Sequence, residues 1–135
     1  MSNLFTAFRV SASGMSAQRA RINATSSNIA NMQTTRSENG GAYQRMDPVF
    51  RTVEMGDDVY GVEVTEVARD QSPPRRVFDP GHPDADPEGY VEMPNINLVE
   101  EMVNMITAQR AYEANTSVVD STKKMARAAL SMAEG

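Results

Sequence analysis

The chain has 135 residues, 40% of them hydrophobic and 6% aromatic, with no Trp and no Cys, and it carries a net charge of −5. That length describes one domain poorly supplied with large core side chains. It excludes a disulfide framework, a thiolate nucleophile and a Cys-based zinc site. The charge is unevenly spread: residues 1–36 hold four Arg and no acid, whereas residues 37–94 hold thirteen acids against five bases. Segregation of this kind suits a partner-facing helix better than a uniformly solvated protein.

The first element is a predicted helix from about Ser2 or Asn3 to about Asn31. Met1, Phe8, Met15, Ile22 and Ile29 recur at every seventh position. The companion seam position, Leu4, Ser11, Gln18, Thr25 and Met32, is apolar only at its ends. The polar face holds Ser, Thr and Asn in place of the Glu and Lys of a solvated helix, and these residues compete for backbone hydrogen bonds. Gly14 costs the helix about 1 kcal/mol against Ala. Such a helix is marginal alone and is expected to gain order by packing on several sides. It has neither a basic leader nor a continuous apolar run, so it does not read as a secretory signal.

Residues 36–46 form a loop with a turn at Asn39-Gly40-Gly41. Two strand-like runs follow, Val49 to Glu54 and Val59 to Val67, joined through Gly56-Asp57-Asp58 as a small hairpin. Residues 72–94 contain six prolines. They read as an extended connector with turns at Asp79-Pro80-Gly81 and near Glu88-Gly89.

The last helix opens at Asn97, with Glu100 in the capping-box position, and runs to about Ala133. Early Glu100 and Glu101 and late Lys123, Lys124 and Arg127 complement its dipole. Leu98, Met105, Tyr112, Val119, Ala126 and Ala133 form its seven-residue line, and Met102, Gln109, Thr116, Lys123 and Leu130 its second. The expected fold is therefore mainly α. The N-terminal helix (1–35) and C-terminal helix (95–135) pair as an antiparallel coiled coil, and residues 36–94 form an irregular, β-hairpin outer region. Leu4, Phe8, Met15, Ile22 and Ile29 are expected to zip against Leu98, Met105, Tyr112, Val119 and Ala126. That line is too thin to close a globular core, which points to burial against other molecules.

No catalytic constellation is found. His82, the single histidine, lies between a glycine and a proline in an acidic loop and has no nucleophile beside it, so it reads as a turn residue. Asp84, Asp86, Glu88 and Gly89 imitate the start of a calcium loop. The twelfth position is Asn95, which lacks the bidentate carboxylate, and prolines replace the entering helix. A weak calcium-binding protein is thus the rival reading from another class. Arg9, Arg19 and Arg21 are dispersed and lack aromatic interleaving, so nucleic acid is not an expected partner. A membrane-surface helix is not expected either, because Lys is missing from the polar face. No cofactor and no metal are expected.

Several local motifs are nonetheless specific. Ser13-Gly14-Met15 with Ala17-Gln18, then Ser26-Ser27-Asn28-Ile29-Ala30-Asn31 and Thr34-Thr35, resemble the N-terminal signature of the bacterial flagellar rod and hook proteins. Asp79-Pro80-Gly81-His82-Pro83, Glu88-Gly89-Tyr90-Val91, Pro94-Asn95-Ile96-Asn97 and Arg110-Ala111-Tyr112-Glu113-Ala114-Asn115 resemble the proximal rod type within that family. The likeness covers residues 2–36 and 76–132. It departs at residues 36–43, which lack the usual prolines, and at Gln33, where Asn is common. A different rod or adaptor subunit is the alternative within the structural class.

The resemblance implies a structural subunit of the basal-body rod that assembles with itself and other rod subunits into a tube around the export channel. It further implies contact with the rod-base adaptor and the export gate, export without a cleaved signal, and a periplasmic location without membrane insertion. On this reading the faces carrying Ser13, Gly14, Arg19, Arg21, Asn28, Asn31, Asn95, Asn97 and Arg110 are expected to meet neighbouring subunits.

Overall fold

A computed structural model describes residues 2–135; the side chain of Ser2 and all of Met1, the first member of the N-terminal heptad line, lie outside the described residues. Two helices bracket two small antiparallel sheets in the order α1 (Ser2–Ala30), β1 (Met46–Glu54), β2 (Tyr60–Arg69), β3 (Arg75–Phe78), β4 (Tyr90–Met93) and α2 (Leu98–Glu134). The helices hold about half of the chain. At 37 residues, α2 spans roughly 55 Å. Its start follows the sequence: the Asn97 side chain accepts from the amides of Val99 (3.0 Å) and Glu100 (3.3 Å), satisfying two of the donors a helix start leaves open.

α1 and α2 run antiparallel. Asn28 bonds Glu101, Arg21 bonds Asn104, and Gly14 faces Asn115, so rising numbers on α1 meet falling numbers on α2. The buried side chains of the two helices are small or polar: Ser11, Ala17, Ala24, Thr25 and Asn28 on α1, and Glu101, Ala108 and Thr122 on α2. Leu4, Phe8, Met15, Ile22, Ile29, Met105, Tyr112, Val119 and Ala126 are half-buried along the flanks, and Leu98 is exposed.

The rotational phase of α2 differs from expectation. Of its second line, Met102, Gln109, Lys123 and Leu130 are exposed, and the residues turned inward stand one position earlier, at Glu101, Ala108, Asn115 and Thr122. The first set is the more apolar, and the second holds small and polar side chains.

The β1–β2 hairpin lies against α1 on a different side from α2. Val62 donates its amide to Ser13 Oγ (3.2 Å), and Arg9 reaches the Met55 carbonyl (3.5 Å). Gly61 sits where a Cβ would come within 2.8 Å of Ser13 Oγ. The register runs from Met46 opposite Arg69 to Glu54 opposite Tyr60, with a bulge at Val49/Phe50. At the tip Gly56, Asp57 and Asp58 all take positive φ, which the short polar side chains of Asp tolerate.

The proline-rich stretch is not a plain extended connector. Its ends pair as β3–β4, from Arg75 opposite Met93 to Phe78 opposite Tyr90, with the expected turns between them. Pro73, Pro74, Pro80, Pro83, Pro87 and Pro94 all fall outside these two short strands, so no ladder donor is lost. Phe78 packs edge-on to Tyr90 at 5.3 Å, and the Arg76 guanidinium lies 4.6 Å from the same ring.

The accessible surface is 9081 Å², against about 7000 Å² for a compact monomer of this mass. The excess reflects a long helix pair without a central core. The largest fully buried side chains are Glu101, Val91, Asn28 and Pro94.

Candidate assembly interface

Asn28, in the last turns of α1, uses its full hydrogen-bonding capacity. Its Nδ2 donates to the Met46 carbonyl (2.9 Å) and to Glu101 Oε2 (3.3 Å). Its Oδ1 accepts from the Met46 amide (2.8 Å) and from the Tyr43 hydroxyl (3.0 Å), which itself lies 3.0 Å from Ser27 Oγ. The amide thereby imitates one rung of a ladder with the first residue of β1. Glu101 Oε1 takes the Arg45 guanidinium, and Asp47 pairs with the same Arg at 3.7 Å. Asn28 and Glu101 are each only 1% exposed. Burial opposes the charge on Arg45, but hydrogen bonding to Glu101 and the carboxylates of Glu101 and Asp47 outweigh it and hold its pKa above the ordinary value. One polar cluster thus joins α1, α2 and the hairpin, and a buried ion pair of this sort contributes more to geometric definition than to net stability.

The rest of the seam is fitted closely. A Cβ on Gly14 would stand 2.8 Å from Asn115 Nδ2 and 3.2 Å from Asn115 Cγ, so Gly14 makes room for that side chain. Arg21 donates to Asn104 Oδ1 at 3.2 Å. Ser13, Gly14, Arg21 and Asn28, expected at contacts between subunits, are engaged inside this one. Asn31 ties back to the Ser27 carbonyl and accepts from Thr34, Asn95 donates to Ser72, and Asn97 caps α2. Arg19 and Arg110 are exposed. Sequence reading missed Tyr43, Arg45, Glu101 and Asn115. The one available signal was the spacing of seven that joins Glu101, Ala108, Asn115 and Thr122.

The acidic loop is occupied by its own chain. Asp84 accepts from Thr35 Oγ1 (2.6 Å) and Arg36 Nε (2.5 Å), and the first of these, then the second, holds its carboxyl below the usual range. Asp86 accepts from the amides of Tyr90 and Glu88 (2.9 Å each) and from Arg76 (3.0 Å), with the Tyr90 bond leading the same downward shift. His82 Nδ1 accepts the Asp84 amide at 3.0 Å, as a turn residue does. Among the described residues, no three His, Cys, Asp or Glu groups converge to hold a metal, and no helix is long and apolar enough to cross a membrane.

What remains open is apolar surface. On α2, Val99, Met102, Val103 and Ile106 repeat at helical spacing on the face turned away from α1, and each is about half exposed or more. Farther along, Met125, Leu130 and Met132 are also exposed, as is Phe5 on α1. Full burial of a side chain of this size contributes about 1.5–3 kcal/mol, so the first four alone hold a substantial driving force that the isolated subunit does not use. A continuous face of this kind marks an interaction site.

Comparison with known proteins agrees with this geometry. A family model described as flagella basal body rod protein matches residues 8–36, and one described as flagellar basal body rod FlgEFG protein C-terminal matches residues 88–132. The chain is similar to the flagellar basal-body rod protein FlgC of Borreliella burgdorferi, with 43% identity covering 98% of this chain and 99% of that one. It is 45% identical to FlgC of Aquifex aeolicus, with 93% of each covered. Identity to FlgC of Bacillus subtilis is 37%, over 93% of this chain and 95% of that protein. The two family-model segments take in most of both helices, with Asn28 and Glu101, the curated relatives match over nearly the whole chain, and the chain belongs to the FlgC family of flagellar basal-body rod proteins, structural subunits rather than enzymes.

Proposed function

We propose that the chain is a proximal-rod subunit whose paired terminal helices form the inner, coiled-coil wall of a tubular shaft around the export channel. The domain division follows: residues 1–35 and 95–135 build the wall, and residues 36–94 face outward or bridge to adjacent rod proteins. Its partners are copies of itself, other rod subunits, the rod-base adaptor and the export gate. Its route is export without a cleaved signal into the periplasm.

The observation that carries this reading is the unburied face of α2. Val99, Met102, Val103 and Ile106 point away from a helix seam already closed by small and polar groups. Exposed Arg19 and Arg110 are the candidate polar contacts of the same assembly. The test is Met102→Glu with Ile106→Glu in the full-length gene. Both positions are about half exposed, so folding stability should stay within about 0.5 kcal/mol of the parent. Swimming should be abolished in a strain that lacks its own copy. Normal swimming by the double variant would refute the assignment of this face.

A further inference from the structure

By apolar content, α2 meets α1 best through Leu98, Met102, Met105, Tyr112 and Val119. In the structure it is turned by roughly 60° from that phase, taking about 100° per residue. Glu101, Ala108 and Thr122 are hidden as a result, while Leu98 and Met102 remain 40% and 50% exposed. The hydrophobic effect is non-directional and gives no reason for this choice. A directional interaction must supply it.

We infer that the cluster of Asn28, Arg45 and Glu101 sets the rotational phase of α2 on α1, and so decides which α2 residues are left for a neighbour. Asn28 is not free to follow a turning helix, because both its amide groups are tied to the Met46 main chain. Glu101 lies in the first turn of α2, directly after the Asn97 cap. With side chains reaching about 5–6 Å from the helix axis, a 60° turn would carry its carboxylate about 5 Å and break both of its bonds. Buried polar groups fix register in paired helices by this means. Asn115 in the space beside Gly14 fits the same phase, but that contact is neutral and half-buried. What the exposed face then binds rests on the assembly reading above; the phase itself does not.

The chain has no cysteine, so Met102→Cys and Thr122→Cys, placed one at a time in the full-length protein, report the phase through their rates of reaction with a maleimide. Thr122 is 5% exposed and lies about six turns away from the cluster, where a purely local repair would not be felt. In the native background the thiol at position 102 should react fast and that at 122 slowly; equal rates overturn the inference. In the combined background Asn28→Leu, Arg45→Met, Glu101→Met, the first rate should fall and the second rise, each by about tenfold. Unchanged rates, or rates moving together, in a variant of native helix content overturn it. Should that variant lose helical circular dichroism, the same two rates are read in Glu101→Gln, where opposite shifts support the inference and any other result overturns it. Swimming is scored separately: a cluster variant with exchanged rates that still swims counts against the assembly reading and leaves the phase inference standing.

Discussion

Replacing Asn28 by Ala tests the claim that a polar cluster, rather than an apolar core, joins the three parts of this subunit. The substitution removes four hydrogen bonds: two to the Met46 main chain, one to Tyr43 and one to the Glu101 carboxylate. A neutral hydrogen bond contributes about 1 kcal/mol net, and one to a charged group about 1.5–3 kcal/mol. Met46 is half-buried, so water recovers part of the main-chain loss, leaving an expected destabilisation of about 3–4 kcal/mol. Against a total of about 5–15 kcal/mol for an ordinary domain, that is a large fraction. The thermal midpoint of the full-length protein, followed by circular dichroism, should fall by roughly 10–15 °C. Asn28→Asp should lose a comparable amount at neutral pH, because it keeps the two acceptor contacts, deletes both donor contacts and sets a second carboxylate beside Glu101. A loss below about 1 kcal/mol for Asn28→Ala would mean that the cluster is incidental and the reasoning fails.

Gly14→Ala should destabilise the helix pair by about 1–3 kcal/mol despite the better helix propensity of Ala, since the new Cβ meets Asn115. Adding Asn115→Ser should recover most of the loss in denaturant melts, and failure of that rescue would place the clash elsewhere. The carboxyls of Asp84 and Asp86 are held below their ordinary values in the folded chain. Their contribution is therefore complete above the usual carboxylate range and is lost as the pH falls through the folded values, below about pH 4. Amide exchange between Asp79 and Tyr90 should accelerate at pH 3 relative to pH 5 beyond the intrinsic pH effect. Asp84→Asn should show raised exchange already at pH 5.

The helix limits were legible because their determinants are local: Asn97 before a periodic run, and Ala133-Glu134 before Gly135. The β1–β2 hairpin was legible for the same reason, through Gly56-Asp57-Asp58 and the alternation of Tyr60, Val62 and Val64. The pairing of Arg75–Phe78 with Tyr90–Met93 was not, because its strands are four residues long and the prolines around them dominate the local pattern. Nor was the phase of α2. Seven-residue periodicity constrains which lines of residues are candidates, but choosing between Met102 and Glu101 needs the knowledge that Asn28 and Arg45 arrive at the same place, and Arg45 comes from a loop without periodicity. The resemblance supplied the family, and the structure gives Ser13, Gly14, Arg21 and Asn28 contacts within the subunit, with Asn28 buried and the other three partly exposed.

The polar interior described above also bears on how this protein responds to temperature. Exposure of apolar surface raises the heat capacity on unfolding and exposure of polar surface lowers it. A chain whose most hidden side chains include a glutamate and an asparagine should thus have a heat-capacity increment per residue below the usual range, about 12–15 cal/mol/K. Its stability curve would be broad and shallow, so the free subunit would keep nearly constant, modest stability from a cold environment to a warm one.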